Sequence, residues 1–214
     1  MRDDASIDFF GASMPLTVAI FLFENVEALD FAGPYEVFTT ASRVYQKRHP
    51  DHDAPFEVIT VARTAASLRA RAGMHVIPDY AIDDHPPIDV LVIPGGVVSE
   101  ELAKPDVIAW IAAQSARAGL TASVCTGAFL LAKAGVLADA EATTHWEDIA
   151  DLQAMFPDLT VLPNRRWVDQ GRIVTSAGIS AGIDMSLHLV ERLVDRPLAL
   201  ATARQMEFDW LDHA

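Results

Sequence analysis

The chain has 214 residues, 51% hydrophobic and 21% charged, enough to bury a sizeable core. Its 30 acidic and 16 basic residues leave a net charge of −14, which argues against nucleic acid or an anionic membrane surface as a partner. A lone cysteine excludes an internal disulfide; with no signal region at Met1–Ser6 and no apolar run long enough to span a bilayer, a cytoplasmic protein is expected.

In chain order, residues 1–14 read as a loose arm on a single domain that takes in the whole chain, 1–214. Leu16–Phe23 is nearly unbroken in apolar residues and reads as a central parallel strand. Glu24–Leu29 is a loop or first turn, and Pro34 suits the first turn of a helix carried on by Tyr35–Tyr45. Phe56–Ala62 alternates and reads as a second strand. Arg71–Met74 is a tight turn between short extended pieces, and Ile88–Ile93 is another buried strand, closed by Pro94-Gly95-Gly96. A helix is predicted over Pro105–Ala118. Leu120–Val124 is a strand that turns at Cys125 into a helix running to Ala132 or Lys133. Glu141–Trp146 reads as extended and Ile149–Met155 as a short helix. Trp167–Ser176 reads as a strand pair around a glycine turn, followed by helices at Gly182–Leu193 and Leu198–Trp210.

Strands alternating with helices predict an α/β fold with a mainly parallel sheet and helices on both faces. Ligands of such sheets bind beyond the carboxyl ends of the strands. Glu24–Asp30, Pro94–Val97, Cys125-Thr126 and Thr143–Trp146 all fall at such ends. That convergence favours a chemical role for Cys125 over that of a small buried hydrophobe. A nucleophile at a strand-to-helix corner has the logic of a nucleophile elbow. The N-terminus of the following helix is expected to lower the thiol pKa, with Thr126 donating a hydrogen bond nearby.

Two readings stand for Asp30: a carboxyl facing the thiol as proton donor or acceptor, with a raised pKa, or a helix N-cap. Glu24 and Glu27 are rivals for the acid role. Pro94-Gly95-Gly96 either offers backbone N–H groups to a developing negative charge or is a flexible turn. His145 is either a base for Cys125 or a histidine satisfied locally. A zinc site is not expected, and no dinucleotide or P-loop fingerprint occurs. Arg165, Arg166 and Trp167 read as surface and packing.

Leu29-Asp30-Phe31-Ala32-Gly33-Pro34, Ile93-Pro94-Gly95-Gly96, Ser123-Val124-Cys125-Thr126-Gly127, Ala142-Thr143-Thr144-His145-Trp146 and Thr175–Asp184 together resemble the ThiJ/PfpI superfamily. Within it, the isonitrile hydratases are the most similar. The resemblance covers about Leu16–Leu193. It implies a flavodoxin-like three-layer sandwich of the class I glutamine amidotransferase type and a homodimer acting on a small molecule without a cofactor or metal. It further implies Cys125 as nucleophile, Asp30 as its acidic partner and Thr126 assisting, with Gly95, Gly96 and Val97 at an oxyanion-binding backbone. His145, Gly33 and Ile179 are expected around the pocket. The implied reaction hydrates an isonitrile to an N-substituted formamide through a thioimidate. PfpI-type peptidases place histidine directly after the cysteine; Thr126 stands there in this chain, which argues against peptidase activity. The ligand-binding half of AraC-type regulators shares most of these motifs. A regulator's DNA-binding half is not expected in a chain that ends at Ala214. A ligand sensor, or a glyoxalase- or deglycase-like enzyme on reactive carbonyls, are the alternatives.

Overall fold

The structure, a computed structural model, describes residues 14–138 and 140–213. The arm expected over residues 1–14 lies, except for Met14, outside the described residues. The elements are β1 (Leu16–Leu22), α1 (Ala28–Arg48), β2 (Phe56–Ala62), β3 (Leu68–Arg69), β4 (His75–Val76), β5 (Tyr80–Ala81), β6 (Val90–Ile93), α2 (Ser99–Leu102), α3 (Pro105–Arg117), β7 (Leu120–Val124), α4 (Gly127–Lys133), β8 (Glu141–Ala142), α5 (Ile149–Met155), β9 (Thr160–Val161), β10 (Trp167–Asp169), β11 (Ile173–Ser176), α6 (Ala181–Leu193) and α7 (Arg196–Gln205).

Seven strands form one sheet in the order β10-β11-β7-β6-β1-β2-β5; only the β10–β11 pair is antiparallel. β6 and β7 are buried throughout and β1 over its last five residues. That burial explains their continuous apolar runs: a parallel strand covered on both faces has no solvent side on which to alternate. Helices α1, α6 and α7 pack together as one layer and α2, α3 and α4 as the other. From β1 the chain winds outward through β2 and β5. It then returns to the other side of β1 with β6 and continues through β7 and β11. The gap between the carboxyl ends of β1 and β6 is therefore the switch point where such sheets hold ligands.

Three expectations are corrected. Helix α1 starts at Ala28, capped by Glu27, so Asp30 lies in its first turn rather than at the cap and Pro34 lies inside the helix. The last helix stops at Gln205, because Glu207 takes a left-handed φ of 51° and Phe208 N bonds back to the Ala203 carbonyl at 3.0 Å. Arg166 is only partly a surface residue, 31% exposed: it pairs with Asp184, whose carboxyl is fully buried in the first turn of α6. The other Asp184 oxygen accepts from Leu211 N at 2.9 Å, and its carbonyl accepts from Trp210 Nε1 at 3.1 Å. These bonds fasten residues beyond α7 to the start of α6. Among the described residues no helix is long and apolar enough to cross a membrane.

Candidate active site

Cys125 sits at the corner between β7 and α4 with φ 57°, a left-handed conformation that a non-glycine residue holds only when its surroundings force it. The forcing contacts are visible. Cys125 N donates to the carbonyls of Ser176 and Ala177 at 3.2 and 3.3 Å, and its own carbonyl accepts the Thr144 hydroxyl at 2.8 Å. Glycines let the neighbouring loops close on this corner. A Cβ on Gly127 would stand 2.1 Å from the Ile93 carbonyl oxygen. One on Gly95 would stand 2.6 Å from both Thr126 N and Thr126 Oγ1.

Asp30, fully buried, reaches across from α1 to the elbow. Its Oδ2 accepts from Gly95 N at 3.1 Å and its Oδ1 from Ile179 N at 3.2 Å, and the Cys125 thiol stands close enough to the same carboxylate to perturb it. Burial pushes the Asp30 carboxyl up to about 6, against the pull of those hydrogen bonds, with the nearby Glu27 charge adding to the rise.

The thiol runs opposite to the expectation of a low pKa. Burial, and then the Asp30 charge, push Cys125 up to about 12; the Thr126 N–H and hydroxyl pull it down only in part. Helix α4 is just seven residues long, and the sulfur lies beside a carboxylate in a site that is 7% exposed. Near neutral pH the pair therefore rests as a thiol beside a carboxylate.

The expected oxyanion donors are already engaged. Gly95 N–H serves Asp30, Gly96 N–H donates to Thr126 Oγ1 at 2.9 Å, and Val97 N–H donates to the Asn25 carbonyl at 3.1 Å. Thr126 in turn donates to the Gly96 carbonyl at 2.9 Å, so this threonine ties the loop after β6 to the elbow. Gly33 is not a pocket residue either: it lies against Ile183 where α1 packs on α6.

A cleft of about 310 Å³ opens over Cys125, with Thr126, Gly96, Val97, Ile179 and His145 in its walls. His145 lines it without bonding to the sulfur. Its ring packs on Gly178, and its Nδ1 accepts from Glu147 N at 3.4 Å and lies 3.4 Å from Asp148 Oδ2. Sequence reasoning missed the remaining cleft residues, Glu27 as a wall, Arg71, Glu147 and Asp148. Nothing in the spacing of Arg71, Glu147 and Asp148 marks them, since they arrive from the turn after β3 and the turn before α5, while Glu27, the cap of α1, is visible in the sequence only as a rival acid. Partial burial raises the Asp148 carboxyl while the adjacent His145 pulls it back. Among the described residues no group of three or more histidine, cysteine, aspartate or glutamate side chains stands together as metal ligands.

A cysteine on a strained elbow, set beside a buried carboxyl above the switch point of a flavodoxin-like sheet, places the molecule among the cysteine-elbow α/β proteins. The chain belongs to the DJ-1/PfpI family, which it matches over residues 16–192. It is 32% identical over 197 residues to the isonitrile hydratase of Pseudomonas putida, covering 91% of this chain and 79% of that one. It is 26% identical over 195 residues to the HTH-type transcriptional regulator GbdR of Pseudomonas aeruginosa, covering 91% of this chain but 51% of the regulator, so the chain spans about half of that relative's length. The crystal structure of a ThiJ/PfpI family protein from Pseudomonas syringae superposes with a TM-score of 0.80 at 25% identity, over 98% of this chain and 82% of that one.

Proposed function

We propose that the protein is an isonitrile hydratase-like lyase that adds water to a small isonitrile, R–NC, and releases the N-substituted formamide. The observation that carries this reading is the buried Asp30 carboxylate beside the Cys125 thiol, a pair that between them hold a single mobile proton near neutral pH. The terminal carbon of an isonitrile must gain both a nucleophile and a proton. As sulfur bonds to that carbon, the thiol proton passes to Asp30 and from there to the same carbon, giving the thioimidate Cys–S–CH=N–R. Water then adds to the C=N carbon with Asp30 taking its proton, and nitrogen is protonated. The C–S bond breaks, the proton returns to sulfur, and HC(=O)–NH–R leaves. The atoms balance without a cofactor.

The engaged N–H groups of Gly95, Gly96 and Val97 favour this chemistry over peptide hydrolysis. A peptidase must stabilise an oxyanion on the substrate in its first step, whereas thiol addition to an isonitrile creates none.

The test is to assay the purified protein against an aryl isonitrile, methylglyoxal and a peptide side by side, with Cys125→Ala as control. Formamide production that disappears in the variant is expected. Turnover surviving in Cys125→Ala would remove the nucleophile assignment, and turnover of methylglyoxal alone would move the reading to reactive carbonyls. The match to half of a regulator favours one second reading, a ligand-sensing module. It would show saturable binding that survives Cys125→Ala and no product. We further propose a C2 homodimer, because Leu200 on α7 and Leu211 beyond it are exposed apolar residues at 48% and 45%. Sedimentation as a stable monomer at micromolar concentration would refute it.

A further inference from the structure

The cleft over Cys125 does not end at the sulfur. Gly96, Val97, Thr126 and Asp148 line both it and a second cavity of about 600 Å³. This second space is a groove between α2 and α5, floored by Phe129 of α4. Its walls are apolar, from Val98 and Leu102 on one side to Ala154 and Met155 on the other. The formal charges lining the two spaces are carboxylates, apart from Arg71. Asp148 and Asp151 border the groove and Glu27 and Glu147 the cleft; the cation between them, Arg71, stands 3.4 Å from Glu27 and is matched by it.

A substrate whose reacting carbon meets Cys125 thus finds the mainly apolar groove one residue further on, across Thr126. The geometry points to this groove as the site for the substrate's nitrogen substituent, selecting an uncharged alkyl or aryl group and rejecting one that carries a carboxylate. The identity of the reacting group rests on the hydratase reading; the groove rests on its continuity with Cys125. Transfer of apolar surface into such a groove is worth about a fourfold gain in affinity per fully buried methylene. A carboxylate placed there would lose its water beside two like charges.

The test uses Cys125 alkylation, which needs no hydratase activity. Second-order rates are measured for iodoacetamide, N-hexyl iodoacetamide and the N-(5-carboxypentyl) analogue, each divided by its rate with a free small thiol. The hexyl reagent is expected to gain at least tenfold over iodoacetamide, and the carboxylated one to lose most of that gain. Ala154→Trp, which fills the groove from an exposed helix face, should cut the hexyl gain below threefold, while Ala154→Gly keeps it. Asp148→Asn with Asp151→Asn should restore part of the carboxylated reagent's rate. Equal normalised rates for all three reagents on the unaltered protein would overturn the proposal, as would a carboxylated reagent as fast as the hexyl one. The two readings fail separately. A protein with the alkylation preference and no isonitrile turnover keeps the groove and loses the hydratase. One that hydrates methyl and hexyl isonitriles with equal kcat/KM keeps the hydratase and loses the groove.

Discussion

Asp30 and Cys125 share one proton, and the two groups respond oppositely to a single substitution. Asp30→Asn keeps the shape but cannot take the thiol proton, so turnover is expected to fall by roughly 10²–10⁴-fold. The same change removes the charge that helps hold the thiol up at about 12, so alkylation of Cys125 at mildly alkaline pH should become faster. Slower turnover with a faster-reacting thiol is a signature that simple misfolding does not produce. If both rates stay unchanged, Glu27, the other carboxylate beside Asp30 in the cleft, becomes the acid to test. On the hydratase reading, the unaltered protein should lose turnover as pH falls through about 6, where Asp30 takes up a proton and can no longer accept one. Stability follows the same group with the opposite sense. From its ordinary 3.8 up to about 6, folded Asp30 binds a proton that the unfolded chain has released, so stability declines as pH rises through that window. A shift of this size corresponds to ~3 kcal/mol. The amide introduced by Asp30→Asn does not titrate. Urea unfolding at about pH 3.5 and pH 7 should therefore show the difference between the two proteins moving by about that amount in favour of Asp30→Asn.

At the scale of elements, the elbow is held by contacts from three strand ends, and glycine is what lets them approach. Gly127→Ala would press a methyl group into the Ile93 carbonyl. The expected result is a loss of ~1–3 kcal/mol from overpacking, together with a drop in turnover of about 10²-fold as the sulfur shifts. Full activity in that variant would mean the corner tolerates displacement. The bounds of β2, β7 and α5 are legible in the sequence because each is an apolar pattern closed by turn residues. The start of α1 is not. Pro34 fits a first turn so well that the sequence predicts the helix to begin there, yet it begins six residues earlier, with Pro34 in its interior. β5 is two residues long and carries no pattern of its own; it exists because β2 offers it an edge. The site divides in the same way. Cys125, Asp30 and Thr126 are visible from their motifs. The fate of the N–H groups at residues 95–97 is not, because their partners Asp30, Asn25 and Thr126 lie between 30 and 72 positions away.

For the whole molecule, the Arg166–Asp184 pair links the segment before β10, the first turn of α6 and the residues after α7. Asp184→Ala would leave the Arg166 guanidinium, whose Nε is already buried without a partner, without its counter-ion, and would release Leu211 N. Removing one member of a buried pair typically costs ~3–5 kcal/mol, and thermal unfolding of Asp184→Ala should show a loss of that order. A drop below ~1 kcal/mol would mean that solvent already reaches the pair. The site itself depends on the completed fold in another sense. The carboxylate of Asp30 is held by Gly95, 65 positions on, and by Ile179, 149 positions on. Contacts of such separation close only after long loops have been ordered. A chain that has formed β1 through β7 but has not yet docked β11 carries Asp30 and Cys125 but lacks the Ile179 N–H that completes the hold on the Asp30 carboxylate. During refolding, thiol reactivity should therefore fall to the slow rate of the folded protein in the last kinetic phase, together with docking of the residue 173–179 segment, making Cys125 a built-in reporter of when this molecule has finished folding.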